Sequence, residues 1–244
     1  MIRKVLLIFV AVTMVAPVHA QASGDDKCTR QTHPFAYGQL FIPALLIGAG
    51  ALRIEPLDKL TRDEMQRHVT KPFHIDDYTQ FSPMMAVYAL NACGVKGRHN
   101  FRDRTLILAS AYLMMGVSVH TVKYATGVAR PGSGARNSFP SGHTAHAFMG
   151  AEFLRQEYRD QSSMIGFAGY VAASFTGVMR IYNNAHWLSD VIAGAGFGIL
   201  SAQIAYWTYP SLQNALFKNT RLPAAVAMPF YNGKNAGLSM FVVF

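Results

Sequence analysis

Five stretches of this chain run without a single Asp, Glu, Lys or Arg: Phe35–Leu52, Tyr78–Val95, Thr105–Val122, Ser162–Met179 and Val191–Phe217. None alternates apolar and polar residues as a half-buried strand would, so each reads as a helix. A sixth helix is predicted from Ser141 to about Tyr158, where FPSGHTAH (Phe139–His146) leads into the apolar run Ala147–Ala151. The expected fold is therefore all-α, a six-helix bundle. Most of the charge-free runs fall just short of the ~20 residues that comfortably cross a bilayer. Composition pulls in the same two directions. Apolar residues make up 51% of the chain and charged ones 14%, under the roughly 25% charged residues of soluble domains, yet the mean hydropathy is only +0.16.

The two ends have their own signals. Arg3 and Lys4 precede the apolar stretch Val5–Val18, and VHA closes at Ala20, which predicts a signal peptide over residues 1–20 and export. A polar segment, 21–34, follows, and the helical domain is expected over 35–222. At the other end, Asn232–Gly233 sits inside PFYNGKNAGLSMFVVF (Pro229–Phe244), which predicts a small C-terminal β-hairpin over 223–244, packed on the domain. The two cysteines, Cys28 and Cys93, either pair in an oxidising compartment or remain free buried thiols.

The chain has 22 Lys and Arg against 13 Asp and Glu, a formal net charge of +9. Such a balance suits an anionic membrane surface or a phosphorylated substrate. The basic residues are scattered and accompany no nucleic-acid motif, which argues against nucleic acid. Between the apolar runs, LDKLTRDEMQRHV (Leu57–Val69) reads as a short amphipathic helix on the solvated surface. The basic KGRHNFRDR (Lys96–Arg104) would be cytoplasmic in a spanning arrangement, with Lys123–Asn137 on the opposite side. Three full crossings after a cleaved signal peptide would instead put Lys123 inside. Either Phe35–Leu52 does not cross fully or the bundle does not span. The reading favoured here is a periplasm-facing bundle, associated with or partly inserted in the membrane.

FPSGHTAH itself has two explanations. Ser141 can simply cap a helix, or the free N–H groups and positive dipole end of that helix can hold an anion. Two other polar clusters lie at helix ends: KYATGVARP (Lys123–Pro131) and RIYNNAHWLSD (Arg180–Asp190). Separately, Lys123 and Arg130 read as loop charges, and His186 with Asp190 as a structural pair one turn apart. Together they form an inventory for phosphate chemistry. Lys123, Arg130 and Arg180 supply cations. The Ser141–His143 backbone supplies donors. His186, its ring held by Asp190, is a candidate nucleophile, and His143 a second imidazole able to protonate a leaving oxygen.

The order K-x6-RP (Lys123, Arg130, Pro131), PSGH (Pro140–His143) and R-x5-H-x3-D (Arg180, His186, Asp190) resembles the type 2 phosphatidic acid phosphatase superfamily, which includes lipid phosphatases, bacterial acid phosphatases and vanadium haloperoxidases. The resemblance implies a six-helix bundle and phosphomonoester hydrolysis through a phosphohistidine. In that scheme His186 is the nucleophile, Asp190 orients it, and His143 is the general acid and then base. Lys123, Arg130, Ser141, Gly142 and Arg180 bind the phosphate. No metal, cofactor or obligatory protein partner is implied. The apolar helices and basic balance favour a lipid phosphate or diphosphate as substrate, with soluble periplasmic phosphomonoesters as the alternative. The short chain disfavours a haloperoxidase, and a silent binder of anionic lipids is the reading from outside enzymology.

One departure is visible: Met179 precedes Arg180 where the family usually has Ser, which bears on substrate detail more than on the reaction. His146, three residues after His143, is expected to line or brace the site. His68, His74, His99 and His120 have no placed partner. A zinc set from His143, His146 and Asp190 lacks a recognisable ligand framework.

Overall fold

A computed structural model of the chain describes residues 37–69 and 71–217, together with strands at 224–231 and 236–243. The expected signal peptide, the polar segment 21–34, Cys28 and the Asn232–Gly233 turn lie outside the described residues. Cys93 is exposed rather than buried. The chain divides into two units, Met1–Trp207 and Thr208–Phe244.

Eight helices are described: α1 (Phe41–Ala51), α2 (Glu55–Gln66), α3 (Asp76–Thr79), α4 (Ser82–Ala92), α5 (Phe101–Thr126), α6 (Gly142–Tyr158), α7 (Ser163–Tyr182) and α8 (Leu188–Phe217). A six-helix bundle undercounts: the amphipathic stretch of the charged connector folds as α2, and the short α3 stands at that connector's end. Local chemistry sets the ends of the long helices. Asn100 opens α5 by accepting from the Asp103 amide at 2.9 Å. Gly127, at φ 56°, closes it in the left-handed conformation that glycine adopts without steric cost. Ser141 and Ser162 cap α6 and α7.

Among the described residues, three helices are long and apolar enough to cross a membrane: Phe101–Thr126, Ser163–Tyr182 and Leu188–Leu216. At 1.5 Å per residue the 11-residue α1 is only ~16 Å long. It ends in an 86° bend into α2, with Arg53 in the turn at φ 42°. The described part of Phe35–Leu52 is therefore one arm of a bent helix pair rather than a long straight helix. Along α7, Met164, Phe167, Val171 and Phe175 are exposed at helical spacing, and α5 exposes Leu113 and Val117. These outward apolar faces suit lipid contact.

The core is built around α6, which is buried nearly all round. Ala147, Phe148 and Ala151 of α6 pack with Leu46 of α1, Ala173 and Ile181 of α7, and Leu188, Val191, Ala195 and Ile199 of α8. Burying α6 also buries Glu152, which is tolerable because its carboxylate is fully paired. Glu152 accepts from Arg155 Nε at 2.7 Å and Nη2 at 2.6 Å, from Tyr170 Oη at 2.6 Å and from Gln156 Nε2 at 2.8 Å.

The approach of α6 to α8 depends on two glycines. A Cβ at Gly194 would stand 2.5 Å from the Ser141 carbonyl oxygen, and one at Gly198 would stand 2.3 Å from that of Ala145. Their absent side chains let the start of α6 lie directly on α8.

In the second unit, β1 (Ala224–Tyr231) and β2 (Ala236–Val243) pair antiparallel, from Ala224 opposite Val243 to Tyr231 opposite Ala236.

Candidate active site

The antiparallel course of the four long helices brings the C-terminal ends of α5 and α7 to the same end of the bundle as the N-terminal ends of α6 and α8. Lys123 lies in the last turn of α5 and Arg180 in that of α7, where cations complement the negative helix end. His143 lies in the first turn of α6, and Asp190 in that of α8 just after His186. The Ser141 amide donates to the Asp190 carbonyl at 2.9 Å, so the two helix starts are tied through backbone.

His186 and Asp190 form the buried half of the site, 2% and 0% exposed. Asp190 Oδ2 lies 3.4 Å from His186 Nδ1 and accepts from the Trp187 amide at 2.9 Å. It also accepts from Ser138 Oγ at 2.5 Å. Ser138, absent from the sequence inventory, thus anchors the carboxylate, and its own Oγ lies 3.4 Å from His186 Nδ1. With Nδ1 facing Asp190, Nε2 is the nitrogen left to react. Burial lowers the His186 pKa to about 4; Arg180 and Lys123 push it further down, against the opposing effect of Asp190. The ring is therefore an unprotonated base at neutral pH, as a nucleophile requires.

The cations differ in how committed they are. Lys123 Nζ donates to the carbonyls of Asn137 at 2.8 Å, Pro140 at 2.6 Å and Ser138 at 3.4 Å, which folds the loop before PSGH over it. Arg130 Nε donates to Asn137 Oδ1 at 2.7 Å. Burial and, next, the nearby Arg180 charge lower the Arg130 pKa, so an anion bound close to both would be favoured. Arg180 Nη1 pairs with Asp76, while its buried Nε has no hydrogen-bond partner among the described residues. A buried, unpaired guanidinium N–H is costly, and a phosphate oxygen would satisfy it.

Ser141 Oγ is buried and accepts from the Thr144 amide at 3.4 Å, so it caps the helix, and it also accepts from Thr144 Oγ1 at 2.9 Å. Space opens at Gly142, where a Cβ would meet nothing within 4 Å. This residue and His143 line one side of a cleft of about 290 Å³, shared with Phe81, Met115, Gly116, Val119, His120, Lys123 and His146. His146 Nδ1 lies 3.1 Å from Gln80 Oε1 and its ring stacks with Phe81, so it is a lining and bracing residue.

Sequence reasoning missed the acidic partners. His143 Nε2 is 2.9 Å from Asp77 Oδ1, and the same oxygen lies 3.8 Å from Arg180 Nη1. Donor atoms of Asp76, Asp77 and His143 come within 4.8 Å of one another, but Arg180 already neutralises Asp76. The only available signal was the pair Asp76–Asp77 bordering a charge-free run.

The amphipathic α2 is also more than a solvated element. Its Asp58 accepts from the Ser189 amide at 2.9 Å and Oγ at 2.7 Å. Arg62 Nε donates to Asn184 Oδ1, and Gln66 Nε2 to the Tyr182 carbonyl, both at 2.9 Å. These bonds clamp the connector that carries His186. His99, for which the sequence placed no partner, lies 2.7 Å through Nδ1 from Glu157 Oε1.

Residues 104–213 match the family model described as PAP2 superfamily. The chain is 35% identical over 226 residues to the lipid A 1-phosphatase of Porphyromonas gingivalis, an alignment covering 84% of this chain and 50% of that protein. It is 40% identical over 76 residues to the bacitracin transport permease protein BcrC of Bacillus licheniformis, covering 31% of this chain and 36% of that one. The chain thus spans about half the length of the first relative and about a third of the second. Among solved structures, it is similar to the crystal structure of Aquifex aeolicus LpxE, with 22% identity and a TM-score of 0.41, covering 66% of this chain and 92% of that chain.

Proposed function

Because the chain belongs to the PAP2 superfamily, we propose that it is a metal-independent phosphatase that removes a phosphate from a membrane lipid through a phosphohistidine. The lipid A 1-phosphatase relative points to a lipid A-type phosphate as the substrate. The observation that carries the reading is that a buried His186, an Arg180 whose Nε is unpaired among the described residues, and a cleft lined by His143 and Lys123 lie at the same end of a membrane-suited bundle. His186 Nε2 attacks phosphorus and the bond to the leaving oxygen breaks. His143 gives that oxygen its proton. Water then attacks the phosphohistidine, losing its proton to His143 and releasing phosphate. Arg180, Arg130 and Lys123, with the amides at the start of α6, stabilise the equatorial oxygens of the transition state. In this reading the site end faces the periplasm and Lys96–Arg104 the cytoplasm.

The test is phosphate release from a panel of lipid and soluble phosphomonoesters in detergent micelles, with the His186→Ala variant as control. Lipid A-type phosphates are expected to be turned over best. Equal turnover of small soluble esters would defeat the lipid assignment.

The cleft gives a sharper version. Gly116 faces it from α5, and a Cβ there would meet nothing within 4 Å. Gly116→Phe fills the space where lipid would lie. The loss of kcat/KM on the lipid should exceed that on a soluble ester by about tenfold, the scale of one to two lost apolar contacts. Equal losses on both would move the lipid elsewhere.

A pH profile follows from the two imidazoles. His186 must be neutral and its pKa lies at about 4. His143 must be protonated, and burial together with the Arg180 charge holds its pKa below the usual 6.5. As pH rises through about 4 the nucleophile appears; as it rises through the His143 pKa the acid is lost. Measured as kcat/KM, activity should peak on the acid side of neutrality and decline above it. A profile still rising at pH 8 would show that no protonated imidazole is needed and would remove His143 as the general acid.

A further inference from the structure

On the phosphatase reading above, we infer that Asp77 is the positioning residue of the general acid, so that each of the two catalytic imidazoles has its own carboxylate. Asp190 holds Nδ1 of His186, and Asp77 holds Nε2 of His143 at 2.9 Å. The consequence for the acid is a fixed tautomer. With Nε2–H committed to Asp77, the transferable proton is on Nδ1. In the first step the Nδ1–H bond breaks and the proton passes to the leaving oxygen, while Nε2–H stays with Asp77. In the second step Nδ1 takes a proton from the attacking water.

The carboxylate is itself held in place. Asp77 belongs to the four-residue α3, and the residues leading into it are clamped to the end of α7. Asn183 Oδ1 accepts from the Phe73 amide at 2.9 Å, and Asn183 Nδ2 donates to the Phe73 carbonyl at 3.0 Å and to Asp76 Oδ1 at 2.7 Å. Asp76 in turn pairs with Arg180. One rigid link therefore joins the cation that binds phosphate to the carboxylate that aims the acid. Asp77 Oδ1, 3.8 Å from Arg180, also receives positive charge from that side, which lowers the cost of an anion so near the phosphate.

The charged and titratable groups around His143 are Asp76 and Asp77 from α3, Arg180 from α7, His146 on its own helix, and Lys123 and His120 across the cleft on α5. Of these, only the two aspartates favour the protonated ring, and Asp77 alone bonds to it.

The experiment compares wild type, Asp77→Asn and Asp77→Glu in the full chain, in micelles, on a lipid phosphate and on p-nitrophenyl phosphate, whose leaving group needs little protonation. For Asp77→Asn, kcat on the lipid should fall about 10- to 100-fold, within the range that positioned proton transfer contributes. The loss on p-nitrophenyl phosphate should be at least about tenfold smaller. The alkaline limb of kcat/KM should move to lower pH, because the removed carboxylate favoured His143 in its protonated form. Asp77→Glu should recover part of the lipid rate.

Equal losses on both substrates with an unmoved alkaline limb would reduce Asp77 to a structural contact. Higher activity in Asp77→Asn would make it a blocker of the phosphate seat. Either result overturns the inference. NMR titration of His143 in wild type and Asp77→Asn gives a reading independent of turnover, and an unchanged midpoint also overturns it. Failure of the wild type to release phosphate from any ester would sink the phosphatase reading itself, a result distinct from these.

Discussion

Replacing His186 by Ala is expected to cut phosphate release by on the order of 10⁴-fold or more, as removal of a nucleophile does when the remaining groups act only with it. The fold should survive. The imidazole is small and buried, and its polar neighbours keep other partners: Asp190 Oδ2 retains Ser138 Oγ and the Trp187 amide. Brief reaction of the wild type with a labelled substrate, quenched in base, should leave a base-stable, acid-labile phosphoryl group on the protein. The variant should retain none. Residual label in His186→Ala would move the nucleophile to another side chain, with His143 the next to test.

The second large effect is structural. Gly198→Val should abolish activity and lower the unfolding midpoint sharply, because its Cβ would lie 2.3 Å from the Ala145 carbonyl oxygen and 2.8 Å from the Met149 amide nitrogen. Neither atom belongs to a flexible side chain, so α6 and α8 must separate. Overpacking of a tight core costs roughly 1–3 kcal/mol and sometimes more, and here the displacement also parts His143 from His186. The contrast is Gly48→Ala on α1, where a Cβ meets nothing within 4 Å. That change should be neutral or stabilising by about 0.5–1 kcal/mol through helix propensity. Thermal unfolding in detergent, followed by helical circular dichroism, measures both. A Gly198→Val protein as stable as its parent would mean that α6 and α8 are not in close contact.

The legibility of this chain in its sequence follows a physical divide. Periodicity located the long helices and motif order located Lys123, His143, Arg180, His186 and Asp190, because each lies within about a turn of a helix end that its neighbours announce. Ser141 was readable as a cap for the same reason. What stayed hidden was set by partners far along the chain. Asp77 reaches His143 across 66 positions, Ser138 reaches Asp190 across 52, and Asp58 reaches Ser189 across 131. No local pattern encodes such pairings. A charged connector such as 53–77 reads as surface until its bonds to the His186 connector are seen.

The length and exposure of α5 bear on how the site would respond to its surroundings. This helix has 26 residues, ~39 Å at 1.5 Å per residue, and little of its apolar window is covered by protein. A hydrocarbon core is about 30 Å thick, and mismatch is relieved by tilting or by local deformation of the bilayer. Lys123 sits in the last turn of that helix and holds the Asn137–Pro140 loop by three bonds. Any tilt or axial slide of α5 is thereby delivered to the loop that frames PSGH. Bilayer thickness is thereby expected to bear on the loop that frames the candidate site, through lipids that need never enter the cleft.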